Sequence, residues 1–289
     1  MKKINLARRE ARNGWLYASL PLAGFLIFFF APFAISVVRS FQRGITQEFV
    51  GFYNYVSIIQ SAAFRIAAGN TIRFTLFAVP LNILIGLVIA LSIRKMGASA
   101  SFFRTVFLIP YVIPVASTVM VFQILFERSG VVNTILRTFN FELVDFLHSE
   151  NTFFVLLFLY IWKNFGYSVV IFLTGLVAIP RDYGEAARVD GAGAMRTFRH
   201  ITMPLLSSTF FFVFIISIVN SFKVFREAYA LGGAYPHDSI YMLQHFMNNN
   251  LQNLNYQRLS VAAMYMFIVI LLLVLFLYLR NCRREDHQL

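Results

Sequence analysis

Two groups of residues in this chain carry side chains that can do chemistry, and both point to binding rather than bond-making. The first is Glu185-Ala186-Ala187-Arg188-Val189-Asp190-Gly191, continued to Ile201-Thr202-Met203-Pro204, a polar segment in an otherwise apolar chain. Asp182 is expected to cap a short helix, with Glu185 three residues on reaching back in the capping-box sense, Gly191 supplying a turn, and a second short helix running toward Pro204. Alanines on one side of the first helix let a partner's backbone approach closely. Arg188, Arg196 and Arg199 keep the segment out of hydrocarbon. It reads as a docking element on the membrane surface; the plainer alternative is a capped loop in which Glu185 only satisfies backbone donors.

The second group lies inside apolar stretches: Trp162, Lys163, Asn164, Gly166, Tyr167 and Ser168 in one, and Ser217, Asn220 and Ser221 in another. Polar groups at membrane depth are costly unless they meet each other, water or a substrate. Counted from Pro204 at ~1.5 Å per residue, Ser217 lies about 20 Å and Asn220 about 24 Å along the helix, in the outer half of a ~30 Å core. Amide, hydroxyl and aromatic groups together suit a sugar, which offers hydroxyls at its edge and an apolar face. For any one Asn or Ser, the competing role is that of a hydrogen-bonded link between helices. Lys163 either attracts an anionic substrate or snorkels to a nearby carbonyl.

Catalysis finds no foothold. None of the five lysines, Lys2, Lys3, Lys95, Lys163 and Lys223, follows a glycine, so the phosphate-cradling P-loop is absent and the chain is not expected to be an ATPase. There is no H-E-x-x-H or G-x-S-x-G, and Cys282 is the single cysteine, so no metal site, disulfide or cofactor is expected.

The elements that must position these groups are membrane helices. With 289 residues, 58% of them hydrophobic and 13% charged, and a mean hydropathy of +0.68, the chain falls outside the range of soluble domains. It is read as an all-α, polytopic protein of the cell membrane: one transmembrane domain over 1–289, with the polar loop 180–204 within it. Six spans are expected, at about Gly14–Val38, Thr71–Ile93, Thr105–Phe126, Thr152–Ile179, Pro204–Val224 and Leu259–Leu279. A short interfacial helix is expected at Tyr53–Gln60 and an external segment at Phe225–Arg258. The net charge of +12 distributes by membrane side and does not mark a nucleic-acid partner. Lys2, Lys3, Arg8, Arg9 and Arg12 precede the first span, Arg94, Lys95 and Arg104 flank the turn after the second, and Arg280, Arg283 and Arg284 follow the sixth. The N-terminus and C-terminus are therefore both expected to be cytoplasmic. Glu127, Glu142, Asp145 and Glu150 outnumber Arg128 and Arg137 in the connection after span three, which fits the outer face. No Asp or Glu falls inside any expected span, which counts against proton- or sodium-coupled secondary transport.

The first group resembles the hallmark of the permease subunits of ATP-binding-cassette importers: EAA, three residues, Gly, nine residues, then I-x-L-P. The match runs through Glu185, Ala186, Ala187, Gly191, Ile201 and Pro204, with Met203 in place of the usual Leu. FVGFYNYVSI and FFRTVFLIPYVIP, followed by Gly130 and Asn133, also look like sugar-type members. The resemblance covers essentially the whole chain and implies a type I importer fold. It implies that Glu185, Ala186, Ala187, Arg188, Asp190 and Gly191 couple to the ATPase. It further implies a second permease, forming a heterodimer, two ATP-binding-cassette ATPase subunits and an external binding protein. Trp162, Lys163, Asn164, Tyr167, Ser217, Asn220 and Ser221 fall in the regions where maltose-type permeases contact sugar, with residue type matching at Tyr167 and Ser217 and an offset near Asn220. Neutral-sugar members also carry Lys at the place of Lys163. The cargo implied is a carbohydrate; glycerol-phosphate, an osmolyte or an amino acid are alternatives within the class, and an ATP-independent transporter or channel is the alternative outside it.

Overall fold

The computed structural model describes residues 2–44, 46–94, 96 and 100–285; Lys95, the side chains of the basic residues at both termini, and those of Arg181 and Cys282 lie outside the description. In chain order the helices are α1 (Lys2–Phe25), α2 (Ala31–Ser40), α3 (Tyr53–Gln60), α4 (Ala62–Arg94), α5 (Ala100–Val112), α6 (Val115–Phe126) and α7 (Val131–Thr138). There follow α8 (Thr152–Ala178), α9 (Arg181–Val189), α10 (Ala194–Thr197), α11 (Met203–Leu205), α12 (Ser207–Phe222), α13 (Phe225–Gly232), α14 (Leu243–Gln252) and α15 (Tyr256–Glu285). Among the described residues, six stretches are long and apolar enough to cross a membrane: Asn13–Ser40, Ala62–Arg94, Val115–Thr138, Thr152–Ala178, Ser207–Gly232 and Tyr256–Phe276. Phe102–Val112 is a shorter apolar helix.

The chain clusters into two compact units. One comprises 1–61 and 249–269. Here α1 and α2 are joined through a π-turn, Leu26–Phe30, that ends just before Pro32. A proline cannot donate the i→i−4 bond, and a π-turn is one way the helix absorbs the gap. The apolar side chains of this span are exposed, which hydrocarbon permits. Asn54 of α3 ties the unit together, its amide donating to the carbonyls of Ser40 and Gln42 at 2.9 Å each while its oxygen accepts from Gln257 of α15.

The other unit comprises 62–248 and 270–289. Its centre is α8, packed along α4 and flanked by α5, α6, α12 and α13. Phe74, Leu156 and Tyr160 lie in one apolar cluster, and Val79, Phe172, Leu173 and Ile218 in a second. Small residues set the close approaches. A Cβ on Gly166 of α8 would lie 1.7 Å from the Phe107 carbonyl oxygen of α5, so α5 can seat on α8 only where a glycine stands.

Three expectations are corrected. Span two begins at Ala62 rather than Thr71, because Arg65, Asn70 and Arg73 take places on a helix. Arg73 lies over the Phe153 ring at 4.3 Å, and the Asn70 amide donates to the Tyr241 carbonyl at 3.1 Å, so hydropathy alone undercounts the helix. Span three is not one helix from Thr105 to Phe126: the backbone at Pro114 is extended (φ −55, ψ 141), breaking the run between α5 and α6. Span five does not stop at Val224. It turns at Lys223 and continues as α13, so part of the expected external segment is helix.

Gly166→Ala is expected to remove most of the folded protein from the membrane, because the added methyl meets backbone and overpacking costs at least ~1–3 kcal/mol. Gly24→Ala, whose new Cβ meets nothing within 4 Å, is the matched control. Detergent-extracted yield and melting temperature check the pair; equal yields would show that α5 seats elsewhere.

Candidate functional site

The Glu185 segment folds as helix, turn and helix. Pro180, extended at φ −55 and ψ 140, holds the N-cap position of α9, so Asp182 does not cap it but lies in its first turn, where a carboxylate faces the positive end of the helix dipole. At the other end Asp190 is the C-cap and Gly191 has φ +75. The Gly191 amide donates to the Arg188 carbonyl at 3.0 Å and the Ala192 amide to the Ala187 carbonyl at 2.8 Å, the paired bonds of a Schellman motif. A Cβ on Gly191 would meet nothing, so the left-handed backbone, not crowding within the chain, is what calls for glycine.

The alanine face divides: Ala187 is buried against its own chain, while Ala186 is exposed beside Glu185 and Arg188. Beyond the turn, α10 passes through a π-turn, Phe198–Thr202, into α11 and Pro204. Between the two arms is a hollow of about 330 Å³ lined by Tyr183, Ala186, Asp190, Arg196 and His200 among others. Tyr183, Val189 and Met195 project from the arms, 53%, 89% and 76% exposed. Apolar side chains so exposed on a polar, arginine-bearing segment form a patch that the chain's own residues leave uncovered.

The second group separates into two sets. Ser217 and Ser221 are buried among helices: the Asn82 amide of α4 donates to Ser168 at 2.8 Å and to Ser217 at 3.2 Å, the Tyr160 hydroxyl donates to the Ser217 carbonyl at 3.1 Å, and Ser221 meets Thr75 at 3.0 Å. These bonds link α4, α8 and α12. Trp162 packs against Phe122, ring centroids 5.9 Å apart, and Tyr167 stacks on Tyr111 at 5.3 Å.

Lys163, Asn164 and Asn220, in contrast, line a cavity of about 310 Å³ at the break between α5 and α6, together with Tyr111, Lys223 and Arg226. The Lys163 ammonium donates to the Ile113 carbonyl at 3.2 Å and lies 3.7 Å from the Glu227 carboxylate. Both partners are nearly buried, Lys163 at 8% and Glu227 at 6% exposure. The expectation that no carboxylate lies within a span is thereby corrected: Glu227 falls inside Ser207–Gly232, held there by a cation on another helix that hydropathy cannot register.

Sequence reasoning missed Asn82, Tyr160, Glu227, Lys223 and Arg226. Only Glu227 carried a signal, as an acidic residue three positions beyond the expected end of span five at Val224. Among the described residues no group of three or more His, Cys, Asp or Glu is placed to hold a metal ion.

Breaking a buried ion pair leaves an uncompensated charge. Lys163→Met or Glu227→Gln alone is therefore expected to cost about 3–5 kcal/mol, and the double change much less than the sum. A melting-temperature cycle on the four proteins checks this; additive losses would mean that the two groups do not interact.

Comparison with known proteins places this geometry. Residues 82–282 match the family of binding-protein-dependent transport system inner membrane components. The sulfoquinovosyl glycerol transport system permease protein of Agrobacterium fabrum is 32% identical over 252 residues, 86% of this chain and 81% of the relative. The arabinooligosaccharides transport system permease protein of Bacillus subtilis is 30% identical over 223 residues, 75% of this chain and 71% of the relative. A chain of a bacterial ABC transporter involved in the import of the acidic polysaccharide alginate shares the fold, with a TM-score of 0.84 at 24% identity over 96% of this chain and 99% of that one. The chain is a multi-pass membrane protein of the binding-protein-dependent transport system inner membrane component family.

Proposed function

We propose that this chain is the membrane-spanning permease of an ATP-driven importer for carbohydrate. With a second permease, in a heterodimer, it forms the translocation path; two ATPase subunits dock on the 180–204 loop, and an external binding protein delivers the cargo. The observation that carries the reading is the exposed helix-turn-helix closed by the Gly191 Schellman motif, in a chain of this transport family. The carbohydrate cargo is supported by the relatives' names, an arabinooligosaccharides permease and a sulfoquinovosyl glycerol permease.

The orientation rests on charge and parity. Six spans return the chain to the side on which it began, and the loop after the fourth span lies on that same side. The basic residues before the first span and after the sixth draw that side to the cytoplasm. The loop is therefore cytoplasmic, within reach of ATP-hydrolysing partners, and α8 and α12 carry its displacement toward the cavity. An ATP-independent transporter is disfavoured although Glu227 is buried, because its carboxylate is paired with Lys163 rather than free to carry a proton.

Gly191→Asp is expected to abolish co-purification of the ATPase while the permease stays abundant in the membrane. Gly191→Ala, which adopts the left-handed backbone at ~1 kcal/mol, is expected to weaken coupling only. Abundance falling in step with ATPase loss would assign the motif to this chain's own fold, and full uptake by Gly191→Asp would remove the coupling role. Substrate-dependent ATP hydrolysis by the reconstituted complex is expected, and transport without any ATPase subunit would overturn the reading.

With Cys282 replaced by serine, a cysteine at position 185 is expected to react with a membrane-impermeant maleimide only after cells are opened. One at position 235, where Tyr235 is 74% exposed, is expected to react in intact cells. The reverse pattern would invert the topology and the mechanism with it.

A further inference from the structure

We infer that the cargo is an anionic saccharide, one bearing carboxylate, sulfonate or phosphate groups on a polyhydroxyl body, and that Lys223 and Arg226 receive its charge. The inference rests on the carbohydrate-importer reading and narrows the cargo class within it.

The cavity at the α5–α6 break is lined by three cations, Lys163, Lys223 and Arg226, against one carboxylate, Glu227. That carboxylate is already engaged with Lys163, whose ammonium is also bonded to the Ile113 carbonyl. Lys163 therefore holds the wall of the cavity together and has little charge left to offer. Lys223 and Arg226 are different. They stand three residues apart where α12 gives way to α13, both are exposed, and among the described residues neither lies within ion-pairing distance of a carboxylate.

Their depth makes this surplus informative. Lys223 and Arg226 both fall inside the apolar stretch Ser207–Gly232, the same stretch that holds Glu227. An unpaired cation there is costly against hydrocarbon, so it must face water, a counter-charge or a substrate. Both cations line a polar hollow with the amides of Asn164 and Asn220, groups that bond hydroxyls, and with Tyr111. The volume, about 310 Å³, is at the small end of ligand cavities and suits a saccharide unit. Fixed cations beside neutral amides suit a ligand with negative groups set among hydroxyls, whereas a neutral sugar would leave two charges unpaired at the moment of passage.

The other way to satisfy these cations is an acidic surface on the second permease, and the experiment separates the two. The complete importer with its binding protein is reconstituted in vesicles and offered oligogalacturonides, sugar sulfonates and sugar phosphates, each beside its uncharged counterpart, such as the carboxyl-reduced oligosaccharide. At least one charged member is expected to be taken up ten-fold or more faster than its counterpart. Lys223→Gln with Arg226→Gln is expected to lower that uptake ten-fold or more while both permeases and the ATPase still co-purify. Lys223→Arg with Arg226→Lys, which conserves charge, is expected to restore it. Uptake of a neutral counterpart at an equal or greater rate overturns the inference and leaves the carbohydrate reading standing. Loss of the second permease from the Gln variant overturns it in favour of an inter-subunit ion pair. Uptake of no saccharide, charged or neutral, removes the carbohydrate reading and the inference with it.

Discussion

A buried ammonium in a membrane bundle must be met by protein, and how Lys163 is met determines how this half of the molecule is built. Pro114 interrupts the helix that would otherwise run from α5 into α6, leaving the Ile113 carbonyl without its usual intrahelical donor. Lys163 supplies a donor, and Glu227 supplies the counter-charge. Three features that are each unfavourable in hydrocarbon, a broken helix, a cation and a carboxylate, are thus made tolerable together. The arrangement draws α8, α13 and the α5–α6 break to one point, and the polar cavity forms there because the break prevents continuous packing.

A second set of bonds ties α8 to its neighbours. Asn82 bridges to Ser168 and Ser217, and Tyr160 reaches the Ser217 carbonyl, so α4, α8 and α12 are joined by directional bonds as well as by apolar contact. α8 leads into the Pro180 turn at the start of α9, and α12 follows α11 as the chain leaves the same loop. The loop thus interrupts two helices that are already fastened to each other. Displacing one arm without the other would strain those bonds, which favours movement of the pair as a unit.

What could be read beforehand follows from what local chemistry encodes. The helix at Tyr53–Gln60 and the start of α8 at Thr152 were legible because polar and apolar residues change sharply there. The Gly191 turn was legible because few other residues accept its φ of +75. The cap at Asp182 was misplaced by two residues, since Pro180 fixes an extended backbone before any side chain can compete. The longer errors share one cause. Arg73, Asn70 and Glu227 are made acceptable by Phe153, Tyr241 and Lys163, partners far away in sequence. Hydropathy scores each residue as if alone, so it ended span five too early and began span two too late. Ser217 and Ser221 show the same limit from the other side, because residue type could not distinguish a link between helices from a group lining a path.

The exposure pattern carries one further consequence for assembly. Two charged side chains that line the cavity, Lys223 and Arg226, are open at the surface of the described residues rather than enclosed by them, and Asn220 beside them is half-buried. Apolar residues of α4, such as Leu76 and Leu84, are also exposed, and for them hydrocarbon would be a sufficient neighbour. It is not sufficient for a guanidinium or an ammonium, which in lipid would lose hydration and gain nothing in return. A chain that places such groups at membrane depth therefore specifies that something other than lipid closes over them. The same asymmetry governs the 180–204 segment, where Val189 and Met195 project into water from a polar helix pair. One surface is too polar for lipid and the other too apolar for water, so neither is satisfied by the chain's own side chains.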